Sequence, residues 1–187
     1  MTIIHTDRLV IRESSGKDFS RIYAMMLSVA PEETTDAVSP DENEELEKYL
    51  AYIHNCYSIF GFGLWSVCLK APAEMPGADT PESGPDLYME GELIGRCGLQ
   101  PIADDNSPLG RIELGYLIDE RFRGAGYGYE ACSAVISYAF RNLEIDELYV
   151  KIAPGNAASG KLAEKLGFVR TPQEKDLWVL RNPYREY

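Results

Sequence analysis

Three glycines alternate with other residues in the stretch RFRGAGYGYE, residues 121–130, and two arginines precede them. An apolar, strand-like run comes before the stretch and a helix-like run follows it, so the glycines fall at a strand-to-helix turn. At such a turn the free N–H groups of the first helical turn and the helix dipole favour an anion, and glycine lets it approach closely. Arg121 and Arg123 add donors suited to phosphate. The pattern indicates a phosphate or pyrophosphate site; the alternative is a tight turn in which the glycines serve only the backbone.

Two familiar nucleotide loops do not fit this stretch. A P-loop has the form GxxxxGK[ST], and the chain has no lysine followed by serine or threonine. A dinucleotide turn has the form GxGxxG, but GAGYGY places Tyr129 where the third glycine belongs. Neither familiar nucleotide loop therefore accounts for the turn.

Regular elements surround the turn in the C-terminal half. In RIELGYLI, residues 111–118, apolar and other residues alternate, which predicts a strand with two distinct faces. Residues 127–142 carry one apolar helical face. A second helix is predicted to be capped by Asn156 and stopped by Gly167. Further strands are predicted at 147–152, 168–170 and 176–181.

The N-terminal half predicts two helices among three strands. Asp18 caps the first helix; Ser39 caps the second, with Pro40 at its first helical position and Glu42 closing a capping box. Residues 71–86 are rich in proline and lack periodicity, which predicts a mobile surface insertion rather than a domain boundary. The predicted strands are 8–13, 64–70 and 92–100.

Composition limits the classes of function. A chain of 187 residues suits a single domain, 1–187. The formal net charge of −12 disfavours nucleic acid as a partner and favours a cationic small molecule or basic peptide. No signal peptide or membrane-spanning run is visible, so we expect a cytoplasmic protein without a membrane partner. The four cysteines lack zinc-ligand spacing; we expect buried thiols and no metal. They are Cys56, Cys68, Cys97 and Cys132.

Several of these motifs resemble those of one known protein family. RFRGAG fits the R/Q-x-x-G-x-G/A signature of the GNAT N-acetyltransferase family, whose loop wraps the pyrophosphate of coenzyme A. TDRLVIRE and GNAASGKLAEKLGF are similar to segments of its RimJ/RimL-like branch, which acetylates ribosomal protein N-termini. The resemblance implies an α/β (α+β) fold with a mixed, mostly antiparallel sheet of six or seven strands and about four helices. It covers nearly the whole chain apart from the insertion.

The resemblance also implies a binding site for acetyl-CoA. The strand at 111–118 would splay from the strand at 147–152 and open a cleft for the pantetheine arm, beside Asn156 and Ser159. From the residues alone, both positions have an ordinary structural explanation, because asparagine is a preferred helix cap and serine is common in a first helical turn. Backbone amides of Leu117 and Ile118 would contact pantetheine, and the pyrophosphate would contact the amides of Arg123, Gly124, Ala125, Gly126, Tyr127 and Gly128.

The implied chemistry is transfer of an acetyl group to a primary amine of a small molecule or a peptide N-terminus. The amine must lose a proton, and Glu113 is the first candidate for the base. Many relatives have a tyrosine as acid one residue before the E-K-x-G-F run, but this chain has Ala163 there, so Ser159 becomes the candidate acid. The alternative function is a non-catalytic acyl-CoA-binding module. A homodimer would be in keeping with the family, in which dimers are common.

Overall fold

The computed structural model describes residues 3–34, 37–72, 88–102, 110–172 and 174–185. The predicted insertion at 71–86 lies outside the described residues except for its first two, which end a strand. The helices are α1 (Phe19–Leu27), α2 (Glu42–Ile59), α3 (Tyr127–Asn142) and α4 (Ala157–Leu166). The strands are β1 (Ile3–His5), β2 (Leu9–Arg12), β3 (Leu64–Pro72), β4 (Tyr88–Ile102), β5 (Arg111–Ile118), β6 (Glu147–Lys151), β7 (Val169–Arg170) and β8 (Leu177–Arg181).

All the described strands form one mixed sheet in the order β1-β2-β3-β4-β5-β6-β8-β7. The neighbours pair antiparallel except β5 and β6, which are parallel. The predicted α/β fold with a mostly antiparallel sheet and four helices is therefore confirmed. The sheet has eight strands because β1 precedes the first predicted strand, and three residues are too few to reveal a period of two.

The main hydrophobic core lies between the sheet and α3. This helix buries one face, as its apolar periodicity predicts. Ala163 of α4 and Phe168 extend the same cluster toward the end of the sheet. The central buried residues are Trp65, Val67, Ile94, Leu99, Leu114, Ala131, Val135, Ala139 and Leu148. This packing fixes the start of α3 against the end of β5, where the glycine-rich turn lies.

The start of α2 differs from the prediction. Its N-cap is Asp41, whose carboxylate accepts hydrogen bonds from Asn43 N (3.0 Å) and Glu44 N (3.3 Å). The prediction of Ser39 as the cap, with Pro40 as the first helical residue, is wrong. A carboxylate at Asp41 accepts both amides and carries the charge that the helix dipole favours. Ser39 instead donates a hydrogen bond to the Glu44 side chain (2.7 Å).

Asp18 precedes α1 as predicted, but its side chain does not cap the helix. The carboxylate accepts from Ser15 N (2.7 Å) and from both terminal nitrogens of Arg12 (2.8 Å each). Burial alone would raise the pKa of Asp18, but the Arg12 guanidinium and the Ser15 amide outweigh it and hold the pKa below its usual range. Asp18 therefore joins β2 to the start of α1 rather than serving that helix alone.

Three further expectations concern the described residues. All four cysteines are buried free thiols, as predicted. Within the described ranges, no group of three or more His, Cys, Asp or Glu side chains is arranged to hold a metal ion. Among the helices that the structure describes, none combines the length and apolar character needed to cross a membrane.

Candidate active site

The glycine-rich turn links β5 to α3 through a short 3-10 turn at Glu120–Phe122. Gly124 (φ 79°) and Gly126 (φ 87°) adopt the left-handed conformation that disfavours other residues. Gly126 is the N-cap of α3, and Glu130 N donates to its carbonyl (3.1 Å). The N–H groups of the three residues before Glu130 precede the first i to i−4 bond, so they have no acceptor within the helix. The turn thus presents several backbone donors together.

The third glycine has a different role. Gly128 lies in the first turn of α3, and an added Cβ would lie 3.5 Å from Leu162 Cδ2 and 3.7 Å from Ile118 Cγ1. These contacts are ordinary, so the backbone does not require glycine there. A side chain at Gly128 would instead occupy space where β5, α3 and α4 meet. Two of the glycines therefore shape the turn, and the third keeps the adjoining cavity open.

A cavity of about 470 Å³ adjoins the turn. Its walls come from the end of β5, the turn, the starts of α3 and α4, and the segment after α1. Four cationic side chains contribute, from Arg96, Arg123, Lys161 and Lys165. The cavity therefore combines an apolar strand end, backbone donors and positive charge, the environment a phosphorylated ligand with a long arm requires.

Most of the predicted cofactor-binding residues line this larger cavity. Ala125 does not: its carbonyl accepts a hydrogen bond from Arg8 Nη1 (3.0 Å). Arg123 directs its Nε to the carbonyl of Ile118 (3.0 Å) and lies 3.9 Å from the Glu33 carboxylate. The predicted residues that line the cavity are Leu117, Ile118, Arg123, Gly124, Gly126, Tyr127, Gly128, Asn156 and Ser159.

Strand β5 presents its amides alternately to its two sides. Asp119 N donates to Ile94 O of β4 (2.9 Å), and the register between the two strands is continuous. In an antiparallel ladder the hydrogen-bonding direction alternates with each residue, so the Leu117 amide also faces β4. The amides of Tyr116 and Ile118 face the other side, where β6 diverges. The resemblance implies that the amides of Leu117 and Ile118 both contact pantetheine. Of these two, the Ile118 amide points toward the cleft and the Leu117 amide points toward β4.

The parallel pairing of β5 with β6 is short. It has a single register pair, Glu113 with Tyr149, although both strands continue beyond it. Lys151 N donates to Glu113 Oε1 (3.3 Å) instead of continuing the ladder, and Gln100 Nε2 donates to Glu113 Oε2 (3.0 Å). The Glu113 side chain therefore occupies the point where the two strands separate.

A second, smaller cavity of about 110 Å³ lies at this separation and contains Glu113 in its wall. Six residues line both cavities, so the two meet at the gap between β5 and α4. They are Glu33, Thr34, Arg96, Tyr116, Asn156 and Ser159. The structure thus brings both predicted catalytic residues, Glu113 and Ser159, to one small, mostly polar cavity that adjoins the larger one.

Asn156 caps α4 as predicted. Its Oδ1 accepts from Ser159 N (2.9 Å), and its Nδ2 donates to Glu33 O (2.8 Å). Both ends of the amide are therefore engaged within the protein, holding α4 against the turn at Pro31–Glu33. A direct contact of Asn156 with a cofactor stays a prediction, while its part in shaping the cavity wall is visible. Ser159 stands in the first turn of α4, at the positive end of the helix dipole.

Two features of the site are missed by the sequence patterns. Arg8 and Glu130 are 122 residues apart, yet Arg8 N (2.9 Å) and Arg8 Nε (2.7 Å) both donate to the Glu130 carboxylate. The Arg8 guanidinium also lies over the ring of Tyr127, 4.3 Å from its centroid. This arginine, the residue before β2, therefore braces the glycine-rich turn. The first arginine of TDRLVIRE is the visible signal, but no neighbouring residue indicates its partner.

Tyr116 is the other missed residue. Alternation along β5 makes it an ordinary residue of the apolar face, but Tyr116 lines both cavities. Its hydroxyl is buried and lacks a well-formed hydrogen bond within the described part of the chain. Burial raises the pKa of Tyr116, and the neighbouring Ser159 hydroxyl offsets part of the rise.

Comparisons with known proteins agree with this geometry. The family model "Acetyltransferase (GNAT) domain" matches residues 8–169. The ribosomal protein uS5-alanine N-acetyltransferase of Escherichia coli (strain K12) is 32% identical over 74 residues, 40% of this chain and 38% of that protein. The chain spans less than half the length of the first curated relatives it matches.

Solved structures share the fold along the whole chain. An acetyltransferase from Agrobacterium tumefaciens str. C58 superposes with a TM-score of 0.71 at 23% identity, covering 100% of this chain and 95% of that chain. RimL, a ribosomal L7/L12 α-N-protein acetyltransferase in complex with coenzyme A, gives a TM-score of 0.66 at 15% identity, covering 96% and 98%. These similarities concern the fold.

Proposed function

The chain belongs to the GNAT acetyltransferase family, and on that premise we propose that it transfers an acetyl group from acetyl-CoA to a primary amine. The acceptor is a small amine or a peptide N-terminus, which attacks the thioester directly. The observation that carries the proposal is the meeting of two cavities at the gap between β5 and α4. One cavity begins at a helix N-terminus suited to pyrophosphate, and the other contains a carboxylate.

The larger cavity fits acetyl-CoA. Its pyrophosphate would be held by the amides at the start of α3 and by Arg123, since both favour negative charge. The absence of a side chain at Gly128 keeps that wall open. The amide of Ile118 would hold the pantetheine arm, and Lys161 and Lys165 line the same cavity and favour further phosphate. Bound acetyl-CoA supplies the thioester, which is the chemistry that the protein itself lacks.

The smaller cavity suits an amine. Glu33 and Glu113 line it together with Arg96 and Lys151, so carboxylates are present to receive a proton among both signs of charge, and a volume of about 110 Å³ admits only the end of an acceptor. Amines with pKa values of about 8 to 10 are mostly protonated at neutral pH, so a base must take a proton before attack. We assign that role to Glu113. Ser159, which lines both cavities, is assigned to the thioester side.

Two measurements test this proposal. Calorimetry should detect acetyl-CoA binding, and a thiol reagent should detect free coenzyme A when the protein meets a panel of polyamines, aminoglycosides and peptides. Glu113→Gln should lower kcat by about 10²- to 10⁴-fold while keeping acetyl-CoA affinity, as loss of a general base does. Exposed Glu164 on α4 provides the matched control, Glu164→Gln, which should behave as the wild type.

The outcomes separate the alternatives. Binding of acetyl-CoA without thiol release across the whole panel would favour a non-catalytic acyl-CoA-binding module. Absence of any acetyl-CoA binding would refute both functions. Equal turnover by Glu113→Gln and the wild type would remove Glu113 as base and leave the transfer reaction standing.

A further inference from the structure

The smaller cavity carries both signs of charge, unlike the chain as a whole. The formal net charge of the chain is −12, which favours a cationic acceptor. Among the described residues, however, the charged residues that line this cavity are two acids and two bases: Glu33, Glu113, Arg96 and Lys151. A purely cationic acceptor is attracted by a surplus of negative charge, and this cavity has none. The balance instead suits an acceptor that brings an anionic group together with its amine.

Arg96 differs from the other cationic residues around the two cavities, because it lines both of them. Arg123, Lys161 and Lys165 line only the larger cavity, where the phosphates of acetyl-CoA would lie. Lys151 lines only the smaller one. Arg96 is half-buried on β4, so the strand holds it in the wall that the two cavities share.

The register of β4 and β5 places Arg96 on the same face of the sheet as Glu113. Arg96 is paired with Leu117, and Gln100 is paired with Glu113, in one continuous antiparallel ladder. Directly opposed residues of such a ladder project to the same face, and so do residues an even number of positions apart on one strand. The two pairs are four residues apart, which corresponds to about 13 Å along the strands. Arg96 and Glu113 therefore project from one face at separate positions along it.

The stretch of sheet between these two pairs is neutral. Gly98 is paired there with Gly115, so neither strand contributes a side chain. Leu64 covers the glycines, since an added Cβ at Gly115 would lie 2.9 Å from Leu64 Cδ2. Leu64 also lines the smaller cavity. A cationic position and a carboxylate position are thus separated by an apolar surface, over which the methylene or peptide portion of an acceptor would lie.

Neighbouring residues locate the charge of Arg96 on the side of the sheet opposite α3. The next residue on β4, Cys97, belongs to the core beneath α3, and alternation turns Arg96 to the other face. Burial raises the pKa of Tyr49 to about 12 and also raises the pKa of Tyr52, and the Arg96 charge offsets part of both rises. Both tyrosines belong to α2. The guanidinium therefore lies on the face that α2 covers, which is also the face of Glu113.

We infer that Arg96 binds a carboxylate of the acceptor, and that the acceptor is a primary amine with this carboxylate several bonds away. The inference rests on the transfer reaction proposed above and names its class of acceptor. Arginine presents a planar pair of donors that matches the two oxygens of a carboxylate. The distance along the strands between Arg96 and Glu113 favours a carboxylate several bonds from the amine over one on the adjacent carbon. Small ω-amino acids have this chemistry, and so does a peptide N-terminus with an acidic side chain.

Acceptors that differ only in the carboxylate test the inference. One pair is δ-aminovalerate and its amide, and the other is the C-terminally amidated dipeptides Ala-Glu and Ala-Gln. The wild type should show a kcat/KM about 10- to 100-fold higher for the carboxylate member of at least one pair, as a charge-assisted hydrogen bond gives. The pair that shows the preference identifies the source of the acceptor.

Variants of Arg96 assign the preference to its guanidinium. Arg96→Gln should reduce the preference to within about twofold of unity and keep the Kd for acetyl-CoA within about twofold. Arg96→Lys keeps the charge without the paired donors, so it should lose only part of the preference. Arg181→Gln on β8 is the control, because this arginine is 72% exposed and lines neither cavity. It should keep the wild-type preference.

Several outcomes would overturn the inference. A wild type without preference in either pair would do so, as would a preference that Arg96→Gln keeps. A weaker affinity for acetyl-CoA in Arg96→Gln with an unchanged acceptor preference would assign Arg96 to the cofactor instead. If Arg96→Gln does not fold, Arg96→Lys decides, because a fully retained preference there would contradict paired donation.

Calorimetry with the protein loaded with coenzyme A separates this inference from the transfer function, because it requires no turnover. The wild type should bind the carboxylate member of the preferred pair about tenfold more tightly than the amide, and Arg96→Gln should bind the two equally. If the wild type shows this difference but transfers acetyl to no acceptor, the transfer function fails and recognition by Arg96 stands. Equal binding of both members by the wild type would overturn the recognition.

Discussion

Replacing Glu130 by glutamine should weaken both the fold and the binding of acetyl-CoA, because this carboxylate ties the N-terminal segment to the glycine-rich turn. It accepts hydrogen bonds from Thr6 Oγ1 (2.5 Å), Arg8 N (2.9 Å) and Arg8 Nε (2.7 Å). Arg8 in turn donates through Nη1 to the carbonyl of Ala125 (3.0 Å). Glu130→Gln keeps the size of the side chain but removes the charge that holds Arg8 in place.

The magnitude follows from the geometry. The Glu130 side chain is 17% exposed and that of Arg8 is 46% exposed, so solvent screens part of the ion pair. A hydrogen bond to a charged group contributes about 1.5–3 kcal/mol, and glutamine keeps part of the acceptor capacity. We therefore expect Glu130→Gln to lower the free energy of unfolding by about 1–2 kcal/mol. For a domain of this size that corresponds to a melting temperature lower by about 3–6 °C.

The same variant should weaken acetyl-CoA binding. Without its ion pair, Arg8 no longer holds the Ala125 carbonyl in a fixed position, and the backbone donors beside it lose part of their preorganisation. A loss of about 1 kcal/mol corresponds to roughly a fivefold rise in Kd. Calorimetric titration with acetyl-CoA measures the Kd, and thermal unfolding measures the stability. Glu164→Gln, an exposed position on α4, is the control and should change neither.

The pH dependence gives an independent check. Burial alone would raise the pKa of Glu130, but the hydrogen bonds from Thr6 and Arg8 outweigh it and lower the pKa. A carboxylate with a lowered folded pKa stabilises the fold above its unfolded pKa of about 4.3, and the stabilisation is lost as pH falls through the folded value. The difference between wild type and Glu130→Gln should therefore shrink in acid. Equal stability at neutral pH together with an unchanged Kd would refute the reasoning.

Three further predictions, the first with a control substitution, probe other parts of the structure. Gly128→Val should raise the Kd for acetyl-CoA at least about tenfold, because the new side chain fills the cavity wall. In the control Gly160→Ala, the added Cβ lies in open space, so the Kd should stay unchanged. Calorimetry should show that this control gains about 0.5–1 kcal/mol of stability. Asp18→Asn should cost about 2–3 kcal/mol in urea unfolding, because the partly buried Arg12 loses one of its two carboxylate partners and keeps only Glu90. The cost should fall as pH drops through the lowered pKa of Asp18, and equal midpoints at pH 7 would contradict this. Ser159→Ala should lower kcat more than it raises the Michaelis constant for acetyl-CoA in steady-state assays, and a loss confined to affinity would remove its role as acid.

Local patterns predicted most of the elements that position the site. The bounds of β5 and α3 agree with the sequence prediction because strand alternation and helical periodicity are both set by neighbouring residues. Asn156 and Gly167 mark the ends of α4 for the same reason: a cap requires only its own helix. At the start of α2, by contrast, several cap-forming residues follow one another, and the sequence alone did not identify Asp41.

Contacts between distant segments could not be predicted in this way. The pairing of Arg8 with Glu130 depends on β2 and α3 meeting across the sheet, which no local period encodes. The same holds for Tyr116 as a lining residue of both cavities, because alternation gives the face of β5 but not where that face ends and a cavity begins. Sequence reasoning thus predicted the turn and the elements that carry Glu113 and Ser159, whose catalytic roles stay predictions. It missed Arg8, which braces the turn, and Tyr116, which lines both cavities.

The placement of Glu113 links the shape of the cleft to its chemistry. Where the β5–β6 ladder would continue, the Lys151 amide donates to the Glu113 side chain instead of to a backbone carbonyl of β5. The carboxylate thus satisfies a backbone donor that the separation of the strands would otherwise leave unpaired. A side chain that accepts a hydrogen bond from the first unpaired amide must lie where the two strands begin to separate, at the mouth of the gap between them. If the acceptor amine enters through that gap, as proposed, Glu113 would stand beside it, and an acid–base role there would need no further element of the fold to position it.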